Sequence, residues 1–418
     1  MLSAFARAFR TPDLRRKLLF TIAIMAIFRV GSFIPTPGVD YPNVQQCIAE
    51  TADGNDLLSL VNLFSGGALL QLSIFALGIM PYITASIIVQ LLRVVIPRFE
   101  ALHKEGQSGQ AKLTQYTRYL TIALAILQST TVITTARNGL LFQGCSVDVI
   151  PDASFVTMAL MVITMTAGTG LIMWLGELIT ERGVGNGMSL LIFTSIAASF
   201  PTALWSIAGG ANGATNFIIM IAVIVLVIGL VVFVEQSQRR VPVQYAKRMV
   251  GRRMYGGSST YIPIKINMAG VIPVIFAASL LAVPGLIAQF GDQSADWVIW
   301  ISTNLADPSA PLHILLYVLM ILFFCFFYTS ITFNPDEVAD NMKKYGGFIP
   351  GIRAGRPTAE YLDYVITRIT SAGAIYLALV ALLPTLVLIG LGVSTNIPFG
   401  GSSIIIVVGV GLETVKQL

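Results

Sequence analysis

Ten apolar runs of about twenty residues each constrain this chain more than any other feature. They fall at roughly 18–35, 69–92, 117–136, 154–176, 188–207, 215–234, 267–288, 312–333, 365–388 and 400–415. An α-helix rises about 1.5 Å per residue, so runs of this length come close to or match a hydrocarbon core of about 30 Å. No water reaches the backbone there, and helices satisfy their own polar groups. Composition agrees, with 55% hydrophobic and 11% charged residues, against about a quarter charged in a soluble domain. The expected fold is all-α: a polytopic membrane protein of ten transmembrane helices.

Basic residues set the orientation. The start of the chain, Met1 to Phe28, has a basic leader and an apolar run, like a signal peptide. No A-x-A-like cleavage site follows it and nine further runs do, so it reads as a first span. The stretch from Phe5 to Phe9, with Arg7 and Arg10, also suits a short helix on the membrane surface. An even number of spans puts both termini on one side. Of 26 Lys and Arg, all but Arg29 and Arg137 fall on that side or at its span ends, so the positive-inside rule makes it cytoplasmic. Asp40, Glu50, Asp53, Asp56, Asp148, Asp152, Asp292, Asp296 and Asp307 fall outside.

Ten spans divide as five and five, and an odd number per half inverts the second half against the first. The expected halves are residues 1–207 and 215–418. The join is the Gly-rich loop 208–214, which contains Ala208-Gly209-Gly210-Ala211-Asn212-Gly213.

One stretch breaks the pattern. Leu57 to Phe64 is apolar but spans only about 12 Å as a helix, too short to cross. Ser65-Gly66-Gly67 then separates it from the second span. A short apolar segment is tolerated at membrane depth only if protein buries it or it lines a water-filled cavity. A pore with something in it is the implication.

Two long cytoplasmic loops carry much of the charge. Residues 236–266 hold Arg239, Arg240, Lys247, Arg248, Arg252 and Arg253, and residues 334–364 hold Lys343, Lys344, Arg353 and Arg356. Such loops fix topology and attract anionic lipid; they also suit an anionic partner, either RNA phosphate or an acidic protein surface. Catalytic motifs are missing: there is no phosphate-binding G-x-x-x-x-G-K-[ST], no H-E-x-x-H, and the two His, His103 and His313, lie far apart. The expectation is a protein that is not an enzyme and uses no cofactor or metal. Span interiors hold Arg29 as the clear charge, with Glu177 near a cytoplasmic end. A gradient-driven carrier usually needs more. Gln90, Gln128 and Asn267 suit helix–helix hydrogen bonds. Three Cys exclude a disulfide scaffold. Cys47 and Cys145 share the outside, where an oxidising environment lets them pair if their loops meet.

The letters resemble the SecY family of protein-translocase channels over essentially the whole chain. The motifs are Phe64-Ser65-Gly66-Gly67-Ala68-Leu69, Ala76-Leu77-Gly78-Ile79-Met80-Pro81-Tyr82-Ile83, Gly176-Glu177-Leu178-Ile179-Thr180-Glu181-Arg182-Gly183 with Gly185-Asn186-Gly187, Asn267-Met268-Ala269-Gly270-Val271-Ile272-Pro273, Phe333-Asn334-Pro335, and Pro350-Gly351-Ile352-Arg353 with Gly355. The composition looks like the actinobacterial branch.

The resemblance implies a clamshell of two five-helix halves around an hourglass pore in the bacterial plasma membrane. It implies a plug made of Leu57, Leu58, Leu60, Val61, Leu63, Phe64, Ser65, Gly66 and Gly67. The matching constriction ring is Ile79, Ile83, Ile192, Ile275 and Ile406. A lateral gate between the second and third spans and the seventh and eighth would carry Gln90, Gln128 and Asn267. Arg239, Arg240, Lys247, Arg248, Arg252, Arg253, Arg353 and Arg356 match the docking surface for the ribosome and the motor ATPase SecA. Further implied partners are small SecE-like and SecG-like membrane subunits, signal sequences and nascent chains, membrane lipid and an accessory insertase. The competing reading is a ten-span inverted-repeat secondary transporter of a small solute.

Overall fold

The structure is a computed structural model that describes residues 11–50, 65–139, 141–142, 145, 147–152, 154–208, 213–245, 248–250, 253–255, 259–290, 295–307, 309–390 and 401–417. Helix α1 (Pro12–Gly31) starts with Pro12 in its first turn, where the missing N–H is not needed, and Asp13 faces its positive end. The helices α2 (Tyr41–Glu50), α3 (Met80–Val95), α4 (Pro97–Lys104), α5 (Gln107–Arg137), α6 (Phe155–Arg182), α7 (Gly187–Ala208) and α8 (Gly213–Gln236) follow. A Ser154 side chain caps α6 by accepting from Thr157 N at 3.3 Å. The second half holds α9 (Ile272–Phe290), α10 (Asp296–Ile301) with a π-turn Ser302–Ala306, α11 (Pro311–Thr332), α12 (Pro335–Lys344), α13 (Arg356–Gly390) and α14 (Gly401–Gln417).

Each of the ten expected runs contains a helix. Among the described residues, α5, α6, residues 215–236 of α8, the run 311–344 and α13 are long and apolar enough to cross alone. Helices α3 and α4 pass together but bend by 99° at Ile96 and Pro97, where a proline cannot continue the preceding helix. Residues 187–201 and 272–285 are shorter apolar helices.

The second run departs from expectation. Residues 69–92 read as one span, yet regular helix begins only at Met80. Residues 66–79 are chiefly turns held to the end of α1. Thr36 donates to Leu72 O through N at 3.0 Å and Oγ1 at 2.7 Å, Ile74 N donates to Ile34 O at 2.9 Å, and Pro35 bridges to Ser73. These bonds supply the partners that a helix would have given. Ala68, Leu69, Leu72, Phe75, Ala76 and Leu77 are buried, the condition under which irregular backbone survives at membrane depth.

The largest apolar cluster draws on α1, α3, α6, α7, α8, α9, α11, α13 and α14, so helices from before and after residue 208 share one core. A second cluster packs α2, residues 69–77, α5, residues 141–150 and α6. There Cys47 of α2 is joined to Cys145 in a disulfide with Cα atoms 5.2 Å apart, within ordinary bridging range. Cys325 is free and buried.

At the basic end the two long loops build one unit. Strands β1 (Gln238–Tyr245), β4 (Ser259–Lys265) and β5 (Gly347–Phe348) form a sheet in the order β4-β1-β5, and β2 (Arg248–Val250) pairs with β3 (Arg253–Tyr255). Val241, Val243 and Ile264 face Met342, Ile349, Leu362, Val365 and Ile366 in a third apolar cluster. Apart from the buried turns at 66–79, the membrane part is helical among the described residues. The strands stand outside it, where each loop alone has too little apolar surface to bury.

Candidate pore, polar contacts and basic face

Ile79 ends the irregular segment and Ile83 lies four residues later on α3. Ile192 is on α7, Ile275 on α9 and Ile406 on α14. All five are at most 7% exposed and belong to the one cluster shared by helices from before and after residue 208. Their side chains carry neither donors nor acceptors, so a constriction made of them excludes water without binding a passing backbone.

At the Gly-Gly break, Gly66 and Gly67 take φ of 67° and 90°, which glycine adopts readily. Ser65 Oγ accepts from Leu69 N at 3.1 Å. The Arg29 guanidinium donates through Nη1 to Gly66 O and lies 4.8 Å over the Phe33 ring. The intramembrane cation singled out in the sequence thus grips the break itself. The other six plug positions, Leu57, Leu58, Leu60, Val61, Leu63 and Phe64, lie outside the described residues.

The three polar side chains sort differently. Gln90 reaches Ser86 Oγ on its own helix at 3.5 Å. Gln128 is half-buried on α5. Asn267 donates to Glu235 Oε1 at 2.6 Å and to Gly270 O at 3.0 Å, so its amide faces α8 and its own turn. Glu235 escaped the sequence reading because it sits at the end of an apolar run, beside Gln236 and Ser237. An acid so close to a span end, with an amide at the start of the next, was the available signal. Elsewhere Arg118 of α5 forks onto Glu177 of α6, with Nε at 2.8 Å and Nη2 at 2.7 Å.

On the basic face, Arg239, Arg240, Arg353 and Arg356 are exposed. Arg240 lies 4.8 Å over the Tyr261 ring, and Arg356 Nε donates to Glu360 at 3.0 Å. Arg248 and Arg253 fall in the β2–β3 hairpin; Lys247 and Arg252 lie outside the described residues. Asn334 caps α12 by accepting from Asp336 N at 3.2 Å. Among the described residues no group of three or more His, Cys, Asp or Glu could hold a metal ion.

Apolar helices long enough to cross a membrane, packed around one buried core with a basic unit at one end, define the class as a polytopic helical membrane protein. The solved structure of a protein conducting channel superposes with TM-score 0.64 at 19% identity, covering 96% of this chain and 91% of that one. Sec61 in the canine ribosome-channel complex gives TM-score 0.60 at 17% identity, covering 96% and 91%. The SecY family pattern matches residues 73–415. The protein translocase subunit SecY of Streptomyces coelicolor is 65% identical over 423 residues, covering 100% of this chain and 97% of the relative. That of Mycobacterium bovis is 59% identical over 428 residues, with the same coverage. The chain belongs to the SecY family: it is a channel subunit of a protein translocase and not itself an enzyme. That assignment sets aside the small-solute transporter.

Proposed function

We propose that this chain passes unfolded secretory polypeptides through the ring formed by Ile79, Ile83, Ile192, Ile275 and Ile406, and releases transmembrane segments sideways into lipid. The observation that carries the ring is that all five residues match the family's constriction-ring positions; all five are also buried in one cluster. Residues 1–207 and 215–418 are the two halves, hinged at 208–214, with the plug at 57–65 closing the resting pore. Lateral release takes place where α3 and α5 face α9 and α11.

With no nucleotide motif in the chain, the driving force comes from outside, from SecA or a translating ribosome docked on loops 236–266 and 334–364. The exposed Arg239, Arg240, Arg353 and Arg356 supply the charge for that docking. SecE-like and SecG-like subunits brace the channel, and an accessory insertase receives membrane segments. The basic face is cytoplasmic, with both termini, and the membrane is the bacterial plasma membrane.

Reconstitution in liposomes with the small subunits and SecA tests the ring. Replacing Ile79 and Ile406 together by Ser wets the constriction and is expected to raise resting ion conductance while ATP-driven uptake of a signal-bearing substrate continues. Resting conductance equal to that of the unaltered channel would place the constriction elsewhere.

A further inference from the structure

We infer that Glu235 is a positioning residue that fixes where α9 begins, so that lateral opening swings α9 from Gly270 while residues 266–268 stay on α8. The inference rests on the reading of α9 as a gate helix.

The loop between α8 and α9 closes in a zip. Gln238 pairs with Lys265 at the base of the β1–β4 hairpin, Ile266 N donates to Ser237 O at 3.1 Å, and Asn267 Nδ2 donates to Glu235 Oε1 at 2.6 Å. Asn267 is 4% exposed and gives its other amide proton to Gly270 O at 3.0 Å. A hydrogen bond to a carboxylate is about twice as strong as one between neutral groups. Truncating Glu235 would leave a buried amide proton without that acceptor.

Other elements of the second half hold the same spot. Helix α13 approaches through Gly373, where a Cβ would stand 2.5 Å from Ile266 O and 3.8 Å from Asn267 Cα. Lys416 of α14 donates to Glu235 O at 3.1 Å. Residues 266–267 are therefore wedged between α8 and α13, and Glu235 is tied to α14 as well.

Just past the wedge the backbone makes a left-handed turn at a glycine. Gly270 has φ of 62°, and a Cβ there would meet nothing within 4 Å. A fixed point followed three residues later by a glycine in a left-handed conformation suits an anchor and a joint, with the Asn267 bond to Gly270 O closing the joint at rest.

The test uses the channel with its small subunits in nanodiscs, with Cys325 replaced by Ala and spin labels on two pairs of introduced cysteines. One pair joins Ile218 of α8 to Met268, and the other joins Ile218 to Leu280 in the middle of α9. Adding a signal peptide should leave the first distance distribution in place and shift the second. Without peptide, E235A should broaden the first distribution, whereas E235Q, which keeps an oxygen acceptor for Asn267, should leave it narrow.

A first distance that moves together with the second overturns the joint at Gly270. A first distribution that stays narrow in E235A overturns the role of Glu235. A peptide that shifts neither pair sinks the lateral-opening reading and the joint with it, while the resting comparison of E235A with E235Q still decides whether Glu235 holds Asn267.

Discussion

Arg118 and Glu177 tie α5 to α6 by two parallel hydrogen bonds, the geometry in which a guanidinium meets a carboxylate best. Their side chains are 40% and 20% exposed, so water screens the charges and the pair acts chiefly through its hydrogen bonds, at about 1.5–3 kcal/mol. Glu177→Leu is expected to lower stability by about that amount, read as a lower Tm in detergent. The double variant with Arg118→Leu should lose less than the sum of the singles, because both remove one interaction; additive losses would show that the two are uncoupled. The sequence displayed Glu177 near a span end, but its partner stands 59 residues away, a distance that only the fold closes. His103, at the end of α4, has its partners only seven and ten residues away. Its Nδ1 lies 2.8 Å from Gln110 Nε2 and 3.3 Å from Arg93 Nη1. Partial burial first, and then the Arg93 cation, hold its imidazole below the ordinary 6.5, with Glu337 pulling the other way. Between the lowered value and 6.5 the unfolded chain binds more protons than the folded one. Stability from this site is therefore full above that window and is lost as pH falls through it. An NMR titration should place the His103 midpoint below 6.5; a midpoint at or above it would remove the Arg93 contact from the account.

Hydropathy finds apolar runs, but it does not say whether their backbone is helical, and residues 65–79 fell in that gap. The glycines at 66, 67 and 78 and Pro81 were the visible warnings. What keeps the segment irregular is its ladder to residues 34–36, which no local pattern announces. Helix α6 seats against it through Gly168, where a Cβ would lie 2.1 Å from the Ile74 carbonyl oxygen. Backbone cannot step aside as a flexible side chain can, so Gly168→Ala should cost about 1–3 kcal/mol. The measurement is Tm in detergent; a stability equal to that of the unaltered protein would mean that the segment has slack. The β1 strand was legible in principle, since Gln238–Tyr245 buries Val241 and Val243 on alternate positions. Its arginines drew the reading toward charge instead, and the partner Phe348 lies in the other long loop.

The ten helices and the side that carries the loops were written in the letters, because span length and charge are properties of the chain alone. The proposed ring rests on motif position alone: isoleucine in a membrane helix is ordinary, and Ile24, Ile87, Ile172, Ile179, Ile196, Ile321, Ile404 and Ile405 are buried in the same cluster as these five. The disulfide between Cys47 and Cys145 needed two loops, 98 residues apart, to meet. It ties α2 to the segment around Cys145, at the end opposite the basic unit. Its presence and the basic platform make the same demand on orientation. A disulfide persists in an oxidising exterior, and loops rich in Lys and Arg stay inside, so both agree with the proposed orientation of the two ends of the bundle. Tyr345, 77% exposed in the basic unit, and Asp296, exposed at the start of α10, mark those ends. Cysteines introduced at each should respond oppositely to a membrane-impermeant maleimide on intact cells. Asp296→Cys is expected to label at once and Tyr345→Cys only after the membrane is opened. Labelling of Tyr345→Cys in intact cells would invert the topology, and with it the side from which a motor or ribosome could reach the arginines.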